Sequence, residues 1–578
     1  MKTKIYYIGK SVVLFLMFAS TAFSQNITNT LGTNGVFTIK DAANTFLTLS
    51  QSTGQLNILK SLRLEYTTNS TLGVLFKGTQ RFLHNYGIDN TFLGINSGNF
   101  TMTGVNNIAL GNYSLYFNTT GNYNTALGIN SLLYNTSGNY NTALGSASLF
   151  SNITGNNNTA LGKYSLFLNT TGFDNTALGS GSLESNTTGY DNTALGYNSL
   201  LSNTTGIKNT ALGMYSLYYN TTGDNNTAVG LSSLYLNTTG HENTALGMNS
   251  LYANTTGINN TAMGYNSLLS NTTGKDNTGV GYASLGNNTT GSSNTAMGLQ
   301  SLSSNTTGYN NTAVGLNCLI MNTAGFSNTA MGFYSLLNNT TGNENTALGL
   351  YSLYSNTTGY QNSVLGGGSG SSVTTGSNLT LIGYDTQPTT GSATNQITLG
   401  NSSVTSLRCA VTTITSLSDM RDKKNITDLS LGLDFISKLK PRQFNWDKRE
   451  WYLNNLSDGS KMKEAPTAGF IAQELDEVQT TENAEWLNLV LKDNPEKLEA
   501  TYGNLLPVMV KAIQELKEEN DVLKKNNEKL SAEVESFKSF SEKFTNLEKK
   551  VNEMESIKHT SLIDNKVKTT NSYKEMQK

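Results

Sequence analysis

The strongest constraint on the fold is an internal repeat in the middle of the chain, whose pattern returns at every seventeenth residue. An Asn opens every copy, first at Asn90 and then at each seventeenth position up to Asn362, without an insertion or a deletion. The copy that begins at Asn192 reads NTALGYNSLLSNTTGIK. Such strict phasing is typical of architectures in which each repeat forms one structural turn that stacks on the next.

The residues of the repeat favour strands and bends over helix. Each copy is rich in Gly, Thr and Asn and has no apolar stripe with a period of 3.6 residues. The first proline of the chain is Pro388, so no earlier residue removes a backbone donor from a ladder of hydrogen bonds. The sequence therefore predicts a mainly β protein built as a parallel β-solenoid or β-roll.

The core of such a turn should be thin. In the copy at Asn192 the fixed apolar residues are Ala194, Leu195 and Leu200, and we expect all three in the interior. Because one chain would bury little apolar area, pooling the cores of three chains would better offset the entropy of ordering, which predicts a homotrimer. Gly196 and Gly206 suit bends that need positive φ or close strand approach.

Asn and Thr recur at fixed positions of the repeat, whereas Tyr occurs at variable ones. We expect Asn and Thr to stack into hydrogen-bonded ladders. The Asn-Thr-Thr triplets match the N-glycosylation sequon, but their fixed phase favours such a structural role. Aromatic residues at variable positions leave two interpretations open, namely packing between adjacent turns or a binding face for a cell-surface glycan or protein. They include Tyr197, Tyr215, Tyr218 and Tyr219.

Charge and cysteine content exclude several functions. The net charge is -2, and only ten acidic or basic residues lie between Asn90 and Gln361. The chain therefore has no basic field for binding nucleic acid. Cys318 and Cys409 have neither a CxxC spacing nor a neighbouring His, which argues against a metal site or a redox centre. We expect no cofactor, and Cys318 replaces the Ser found at its phase.

The first residues predict export. Lys2, Lys4 and Lys10 precede or border an apolar run at 11–19, and Ala22-Phe23-Ser24 is typical of a signal-peptidase site. Because the apolar run is shorter than the ~20 residues that span a bilayer, we expect cleavage before Gln25 and no membrane insertion afterwards.

The composition changes at Ser418 to a charged segment that contains all three Trp residues. The pattern predicts a short helix before Pro441, a strand at RQFNWD, a strand followed by a helix at TAGFIAQELDEV, and a long helix from about Asn504. Alternating spacings of three and four residues in that helix predict a parallel coiled coil. The apolar positions of this seam are Ile513, Leu516, Leu523, Leu530, Val534, Phe537 and Phe544.

The sequence thus divides into seven segments, which are a signal peptide (1–24), a β-rich cap (25–89), the repeats (90–366), a β-rich neck (367–417), an α+β module (418–516), a coiled coil (509–556) that overlaps its last helix, and a polar tail (557–578).

Two resemblances follow from these residues. The turn NTALG resembles the head repeats of trimeric autotransporter adhesins, which form a trimeric β-roll, although the repeat here is longer and we expect no carboxy-terminal membrane barrel. The blocks SDMRDKKNI, PRQFNW, GFIAQE and YGNLLPVMVKAIQEL, in this order, resemble the intramolecular chaperone auto-processing domain of phage endosialidase tailspikes. Myelin regulatory factor carries a similar domain.

The second resemblance implies a function and a site. Such a domain trimerises, guides folding of the preceding fibre and then cuts itself off before its first Ser, so the scissile bond would join Leu417 and Ser418. Ser418 would be the nucleophile and Lys423 its base, with Lys424 as a rival. A spacing of five residues requires a turn between Ser418 and Lys423. The family often has an apolar residue at Asp422, and an acid there would favour a protonated Lys423.

The leading hypothesis is an exported, trimeric, adhesin-like fibre that processes itself once and is not a turnover enzyme. A second hypothesis is a glycan-degrading tailspike, but the acids of the repeats differ in phase or lie far apart, whereas glycosidases need two carboxylates about 5 to 10 Å apart. They are Asp174, Glu184, Asp191, Asp224 and Glu242. A third hypothesis is an inert fibre whose module is a non-cleaving trimerisation tip.

Overall fold

The computed structural model describes residues 36–40, 45–50, 55–58, 63–408 and 418–572. These residues belong to two compact units, divided between Asn243 and Thr244. The predicted signal peptide, Cys409 and Leu417 lie outside the described residues.

The first unit begins with antiparallel strands. Strands β1 to β3 form one sheet, and the hairpin of β4 and β5 pairs antiparallel with the first strand of the solenoid. Their bounds are β1 Val36–Lys40, β2 Thr45–Ser50, β3 Gln55–Ile58, β4 Leu75–Lys77 and β5 Gln80–His84. The β-rich cap expected before the repeats therefore has strands where it is described.

Nine short strands then follow in the first unit, and each begins at the seventeenth residue after the start of the one before. Neighbours pair parallel and in register, so that Thr193, Ala194 and Leu195 face Thr210, Ala211 and Leu212. The strands are β6 Thr91–Leu93, β7 Ile108–Leu110, β8 Thr125–Leu127, β9 Thr142–Leu144, β10 Thr159–Leu161, β11 Thr176–Leu178, β12 Thr193–Leu195, β13 Thr210–Leu212 and β14 Thr227–Val229.

The second unit has the same parallel ladder. Its strands are β15 Thr244–Leu246, β16 Thr261–Met263, β17 Thr278–Val280, β18 Thr295–Met297, β19 Thr312–Val314, β20 Thr329–Met331, β21 Thr346–Leu348, β22 Ser363–Leu365, β23 Thr380–Ile382 and β24 Ile397–Leu399. The predicted parallel β-solenoid is confirmed. Regular turns extend beyond residue 366, into the segment that the sequence assigned to a looser neck, because β22, β23 and β24 keep the interval and pair in parallel.

The interior of each turn differs from the prediction at one position. Ala194 and Leu200 are fully buried, but Leu195 is 46% exposed. Consecutive residues of a strand point to opposite faces, so burying Ala194 places the neighbouring Leu195 outside. The expectation that Leu195 belongs to the core was wrong, and a buried Ser fills part of the space, as Ser199 does in this turn.

Two ladders of hydrogen-bonded asparagine side chains are buried in the interior of the solenoid. Asn203 Nδ2 donates to Asn186 Oδ1 (2.8 Å) and to Gly206 O (3.0 Å), while Asn203 Oδ1 accepts from the next ladder residue, Asn220 (2.9 Å). The second ladder includes Asn192, which is also fully buried. Buried polar groups stabilise a fold only when their hydrogen bonds are made, and here they are made within one chain. The predicted Asn ladders are confirmed.

Close backbone approach explains the fixed glycines. A Cβ on Gly196 would lie 2.6 Å from Gly213 O, and its φ of +141° is one that other residues rarely adopt. Leu200 also has positive φ, at 53°, although it is not glycine. The cost of that conformation, about 1–2 kcal/mol, is offset by complete burial of the Leu side chain.

Aromatic side chains pack between adjacent turns, as one of the two interpretations predicted. Tyr123 stacks on Tyr140 with ring centroids 4.9 Å apart and planes 2° from parallel, and Tyr309 stacks on Phe326 in the same way. Since Asn203 and its equivalents are buried, the Asn of the Asn-Thr-Thr triplet serves the ladder.

The α+β module follows in the second unit. Its elements are a 3-10 turn Met420–Asp422, α1 Leu433–Lys438, β25 Arg442–Phe444, a 3-10 turn Arg449–Trp451, β26 Thr467–Gly469, α2 Ala472–Thr481, a 3-10 turn Glu485–Leu487, β27 Val490–Leu491, β28 Glu499–Ala500, a 3-10 turn Tyr502–Leu505 and α3 Leu506–Ser572. The predicted helices and strands are confirmed. Phe435, Leu475, Leu489 and Val508 lie in a common core.

Helix α3 spans 67 residues and continues into the segment assigned to a polar tail. Within the described part of the chain, no helix combines the length and hydrophobicity needed to cross a bilayer.

Candidate functional site

A single tight turn brings Ser418 and Lys423 together. The 3-10 turn Met420–Asp422 reverses the chain, with Lys423 N donating to Met420 O at 3.1 Å. The Lys423 ammonium then donates a hydrogen bond to Ser418 Oγ. The sequence required a turn between these two residues, and the structure contains it.

Asp419 and Arg421 brace this turn. Asp419 Oδ1 accepts from the backbone N of Arg421 at 2.8 Å, which caps the 3-10 turn. The Arg421 guanidinium also donates a hydrogen bond to the Asp419 carboxylate, from Nη2 to Oδ2 at 2.6 Å. These hydrogen bonds lower the pKa of the Asp419 carboxyl and raise the pKa of Arg421. Sequence reasoning missed this bracing pair, although SDMR already places an acid two residues before an arginine.

The other predicted site residues lie apart from this contact. In the described residues, no ion pair within 4.0 Å joins Asp422 to Lys423, and Lys424 has no hydrogen bond to Ser418. Leu417, the residue before the predicted scissile bond, is outside the described residues.

Ser418 and Lys423 are both exposed in the single chain. A lysine acts as a base only when its surroundings favour the neutral amine, for which burial is the usual means. The turn therefore supplies the geometry of a Ser-Lys pair but leaves it open to water.

The order of the sequence blocks has a structural basis in the module. Strand β25 pairs with β26. Arg442 also forms an ion pair with Glu474 (Nη2 to Oε1, 2.6 Å), which joins the PRQFNW block to the GFIAQE block. This ion pair lowers the pKa of Glu474 and raises the pKa of Arg442. Tyr502 OH, from the YGNLLPV block, donates to Phe470 O and accepts from Phe470 N, both at 3.1 Å.

The long helix is tied directly to the module. Glu515 Oε2 on α3 accepts from the backbone N of Leu433 at 2.6 Å, at the start of α1. A Cβ on Gly432 would lie only 2.1 Å from this carboxylate oxygen, so glycine permits the approach. The helix that carries the predicted coiled-coil seam thus anchors the same domain that carries Ser418.

The seam itself has no partner in the single chain. Leu523 and Leu530 are each 61% exposed, and Phe537 is 77% exposed. Apolar side chains repeated at this spacing are normally buried against other helices.

Polar contacts connect the module to the last solenoid turns. Asn494 Nδ2 donates to Thr389 O (3.3 Å), Gln396 Nε2 donates to Asp493 Oδ2 (3.2 Å), and Lys448 Nζ donates to Ser402 O (3.2 Å). Each of these three hydrogen bonds joins groups that water could also satisfy.

The module also contains an open groove of about 940 Å³. Phe444, Trp446, Phe470 and Tyr502 contribute aromatic walls, and Lys448 also lines the groove. Sequence reasoning did not identify this groove, because its walls come from three separate blocks. Among the described residues, no group of three or more His, Cys, Asp or Glu is placed to hold a metal ion.

Part of the module matches the sequence model of a known protein family. Residues 418–483 match the family model Peptidase S74, described as chaperone of endosialidase. The resemblance predicted from the sequence blocks is confirmed over this range, and a repetitive β-solenoid precedes it. Neither a curated protein nor a solved structure matches the chain.

Proposed function

We propose that this chain is an exported, trimeric fibre whose C-terminal module assists assembly and then releases itself by cutting the bond between Leu417 and Ser418. The observation that carries the proposal is the contact between Lys423 Nζ and Ser418 Oγ at the first residue of the matched family segment. The β-solenoid supplies the fibre, and the predicted signal peptide supplies export.

The chemistry is a single acyl transfer followed by hydrolysis. Ser418 Oγ attacks the carbonyl carbon of Leu417 while its proton passes to the neutral amine of Lys423. The C–N bond then breaks, and the proton passes from Lys423 to the departing nitrogen of Ser418. Water hydrolyses the resulting ester, which frees the carboxylate of Leu417 and restores the Ser418 hydroxyl.

Trimerisation would complete the site. The two side chains are exposed in one chain, and a neutral lysine requires cover from water. The exposed seam of α3 would bring three chains together and place neighbouring modules around each pair. Cleavage would thereby be coupled to correct assembly.

A detachable chaperone suits a repetitive fibre. Turns with nearly identical residues can pair in many registers, and non-local strand pairing is slow. A coiled coil that first fixes stoichiometry and register removes that ambiguity. Once the module has left, persistence of the fibre depends on its unfolding barrier.

The test is expression of the full chain beside Ser418→Ala, with molar masses measured under native and denaturing conditions. Release of residues 418–578 in the parent but not in the variant, from a trimer, supports the proposal. Ser457→Ala is the matched control because Ser457 is an exposed serine of the same module, and this variant should cleave normally.

Two results would contradict the proposal in different ways. An intact parent that is trimeric would leave the module as a permanent trimerisation tip, without peptidase action. A monomeric parent would remove the trimeric fibre itself.

Glycan binding is a second candidate function for the fibre. Tyr123 and Tyr140 are stacked yet remain 50% and 60% exposed, and aromatic rings at a surface are suited to pack against sugars. A glycan array probed with the full chain and with the Tyr123→Ala variant tests this role. Equal signals from the two proteins at every glycan would exclude this pair of rings as the binding face.

A further inference from the structure

The second unit carries a strip of exposed apolar side chains along its solenoid. One row consists of every seventeenth residue from Leu246 to Leu399, and all its members are Leu, Met, Val or Ile. The other row consists of every seventeenth residue from Met248 to Leu350, and all its members are Met, Tyr, Leu or Phe. A single row of glycines separates the two, and we call them together the apolar strip.

The strip is well exposed in the single chain. In the first row Met297 is 45% exposed, and in the second row Tyr282 and Leu350 are 51% and 50% exposed. The neighbouring interior is already closed, since Ala296 and Leu302 are fully buried. The strip is therefore additional apolar surface, beyond what one chain needs for its own core.

The strip does not extend along the whole solenoid. At the phase of the second row, polar or charged residues interrupt the earlier turns, namely Asn112, Ser146, Lys163 and Ser180, and the row is unbroken only from Tyr197 to Leu350. The unbroken pattern therefore belongs to the later turns, which are nearer in sequence to the module.

The area of the strip exceeds what soluble monomers usually leave exposed. At roughly 70 Å² per half-exposed side chain, its members present on the order of 1,000 Å², whereas the largest apolar patch of a typical monomer is about 300–600 Å². A stable interface buries about 800 Å² per partner. The strip is large enough to form one.

We propose that the apolar strip is the surface through which copies of this chain pack against one another in the fibre. The inference rests on the trimer of the proposed function and names its contact surface. It replaces the pooled core expected from the sequence, because each chain encloses its own Ala, Leu, Ser and Asn and contributes only the outward strip.

A second copy of this chain is the occupant that best fits the absence of charge in the strip and the interval of the repeat. Neither row contains an acidic or basic residue, so identical strips meet without repulsion between like charges. Chains that share one repeat interval also match turn for turn when they lie parallel. A partner of different construction would not share that spacing.

The first row also helps to select the register. Met263, Val280, Met297, Val314 and Met331 alternate a long with a short side chain at successive turns. In a symmetric assembly, equivalent turns bring Met to Met and Val to Val. A slip of one chain by one turn mixes Met and Val at every such level, so the two registers fill the space between the chains differently.

The parallel seam on α3 supports the same occupant. Leu523 and Leu530 belong to the same unit as the strip, and at 61% each they are more exposed than Met297, at 45%. Two separate apolar surfaces in one unit, both free of charge along their contact lines, are explained together by three parallel copies.

Cysteine cross-linking in the full chain tests the strip. Leu299→Cys places a thiol within the strip, and Asn287→Cys places one at an exposed position outside it, both in a Ser418→Ala background that keeps the chain intact. Mild oxidation is followed by denaturing gels, with the parent chain as the measure of cross-links from the native cysteines. Native molar mass is measured for every protein.

The strip predicts that Leu299→Cys forms covalent dimers at least about tenfold faster than Asn287→Cys, since thiols held at an interface have a high effective concentration. Equal rates in trimeric proteins would overturn the strip and leave the trimer intact. A monomeric parent would overturn both the strip and the trimer of the proposed function.

A second variant pair covers the case in which a cysteine disturbs folding. Met297→Lys adds a charge within the strip, and Asn287→Lys adds one outside it. The strip predicts a lower midpoint of thermal unfolding for Met297→Lys alone, with the difference lost at concentrations where the chain is monomeric. A difference that persists in the monomer would contradict the interface.

Discussion

The solenoid turns and the C-terminal module satisfy their polar groups in opposite ways. The turns bury neutral amides, and Asn203 has its ladder partners within the same chain. In the module, charged side chains pair at the surface, as Arg442 does with Glu474. Among the described residues, all ion pairs but that of His241 and Glu242 lie between Asp419 and Lys538.

This contrast separates what one chain completes from what an assembly must complete. A ladder of buried amides is finished within each chain, so the interior of the solenoid does not need a partner. The module leaves Ser418, Lys423 and the α3 seam exposed, and in the proposed function other chains would cover each of them.

Replacing Lys423 should have the largest effect, because the proposed chemistry depends on a neutral amine. Lys423→Arg keeps the charge but cannot lose a proton near neutral pH, and we expect self-cleavage to slow by about 10²–10⁴-fold. The rate of appearance of the fragment 418–578 on denaturing gels measures this. Lys424→Arg is the matched control, and a parent-like rate for Lys423→Arg would remove Lys423 as the base.

Breaking an Asn ladder should be the most damaging change in the solenoid. Asn203→Ala leaves Asn186 Oδ1 buried without a donor and opens a cavity, so the free energy of unfolding should fall by about 2–4 kcal/mol. Urea unfolding followed by far-UV circular dichroism measures this. Thr205→Ala, at an exposed position of the same turn, should stay within about 0.5 kcal/mol, and equal losses for both variants would contradict the ladder's role.

The first unit should be sensitive to acid at His84. Burial between Phe92 and Phe100, with Arg81 nearby, lowers the pKa of His84 to about 4, and its Nε2 donates to Ser97 O at 2.8 Å. Because the folded pKa lies below the unfolded value of 6.5, neutral His84 stabilises the fold fully above pH 6.5. The contribution is lost as the pH falls from 6.5 towards 4.

We expect the loss at His84 to reach about 3 kcal/mol near pH 4. Urea unfolding of the parent and of His84→Gln at pH 7.5, 5.5 and 4 measures it, with His241→Gln as the control for an exposed histidine. The parent should lose more stability on acidification than His84→Gln. Parallel pH dependences of the two proteins would exclude His84 as the sensor.

Loosening the turn at Ser418 should have a moderate effect. Asp419→Ala removes the cap of the 3-10 turn, which is worth about 1 kcal/mol, so cleavage should slow by about 5- to 10-fold. Asp419→Asn keeps an acceptor for the backbone N of Arg421 and should recover most of the rate. Asp428→Ala removes an exposed carboxylate nearby and should cleave normally, and a similar slowing there would show a general effect of charge.

Cys318→Ser should have the smallest effect. Cys318 is fully buried at the phase of a serine, its Sγ lies 3.1 Å from Ala330 O, and burial raises its pKa to about 12. We expect a change in stability below about 1 kcal/mol and no labelling of the native thiol. Thermal unfolding and peptide mass mapping after alkylation measure both, and rapid labelling of Cys318 would show that the turn opens.

The boundary between repeats and neck shows where sequence reasoning stopped. Leu379 and Gln396 occupy the phase at which the marker Asn is expected, so the repeat seemed to end at residue 366. The strands that begin at Thr380 and Ile397 nevertheless keep the interval of the earlier turns. The interval itself was the better signal, because backbone pairing tolerates a change of side chain as long as the length of the turn is preserved.

At these last turns, residues of the interior change along with the opening Asn. Gly370 stands at the phase of the buried Leu, and a Cβ there would lie 3.0 Å from Leu381, which replaces the usual Ala. Val373 replaces an Asn, and Asn356 Oδ1 is consequently buried without a partner. Each substitution looks like a loss of the pattern when read alone, but in space the larger Leu381 fills the volume that Gly370 vacates.

The sequence by itself determined the interval of the turns, the parallel ladder, the elements of the module and its family. These depend on local spacing and on the order of blocks, which the chain displays directly. Tertiary structure alone decided which of the neighbours Ala194 and Leu195 faces inward, that the predicted asparagine ladders are buried within one chain, and that Asp419 and Arg421 brace the turn at Ser418. Bends with positive φ interrupt the two-residue alternation of a strand, so the direction of a side chain depends on backbone reversals and on partners in the neighbouring turns.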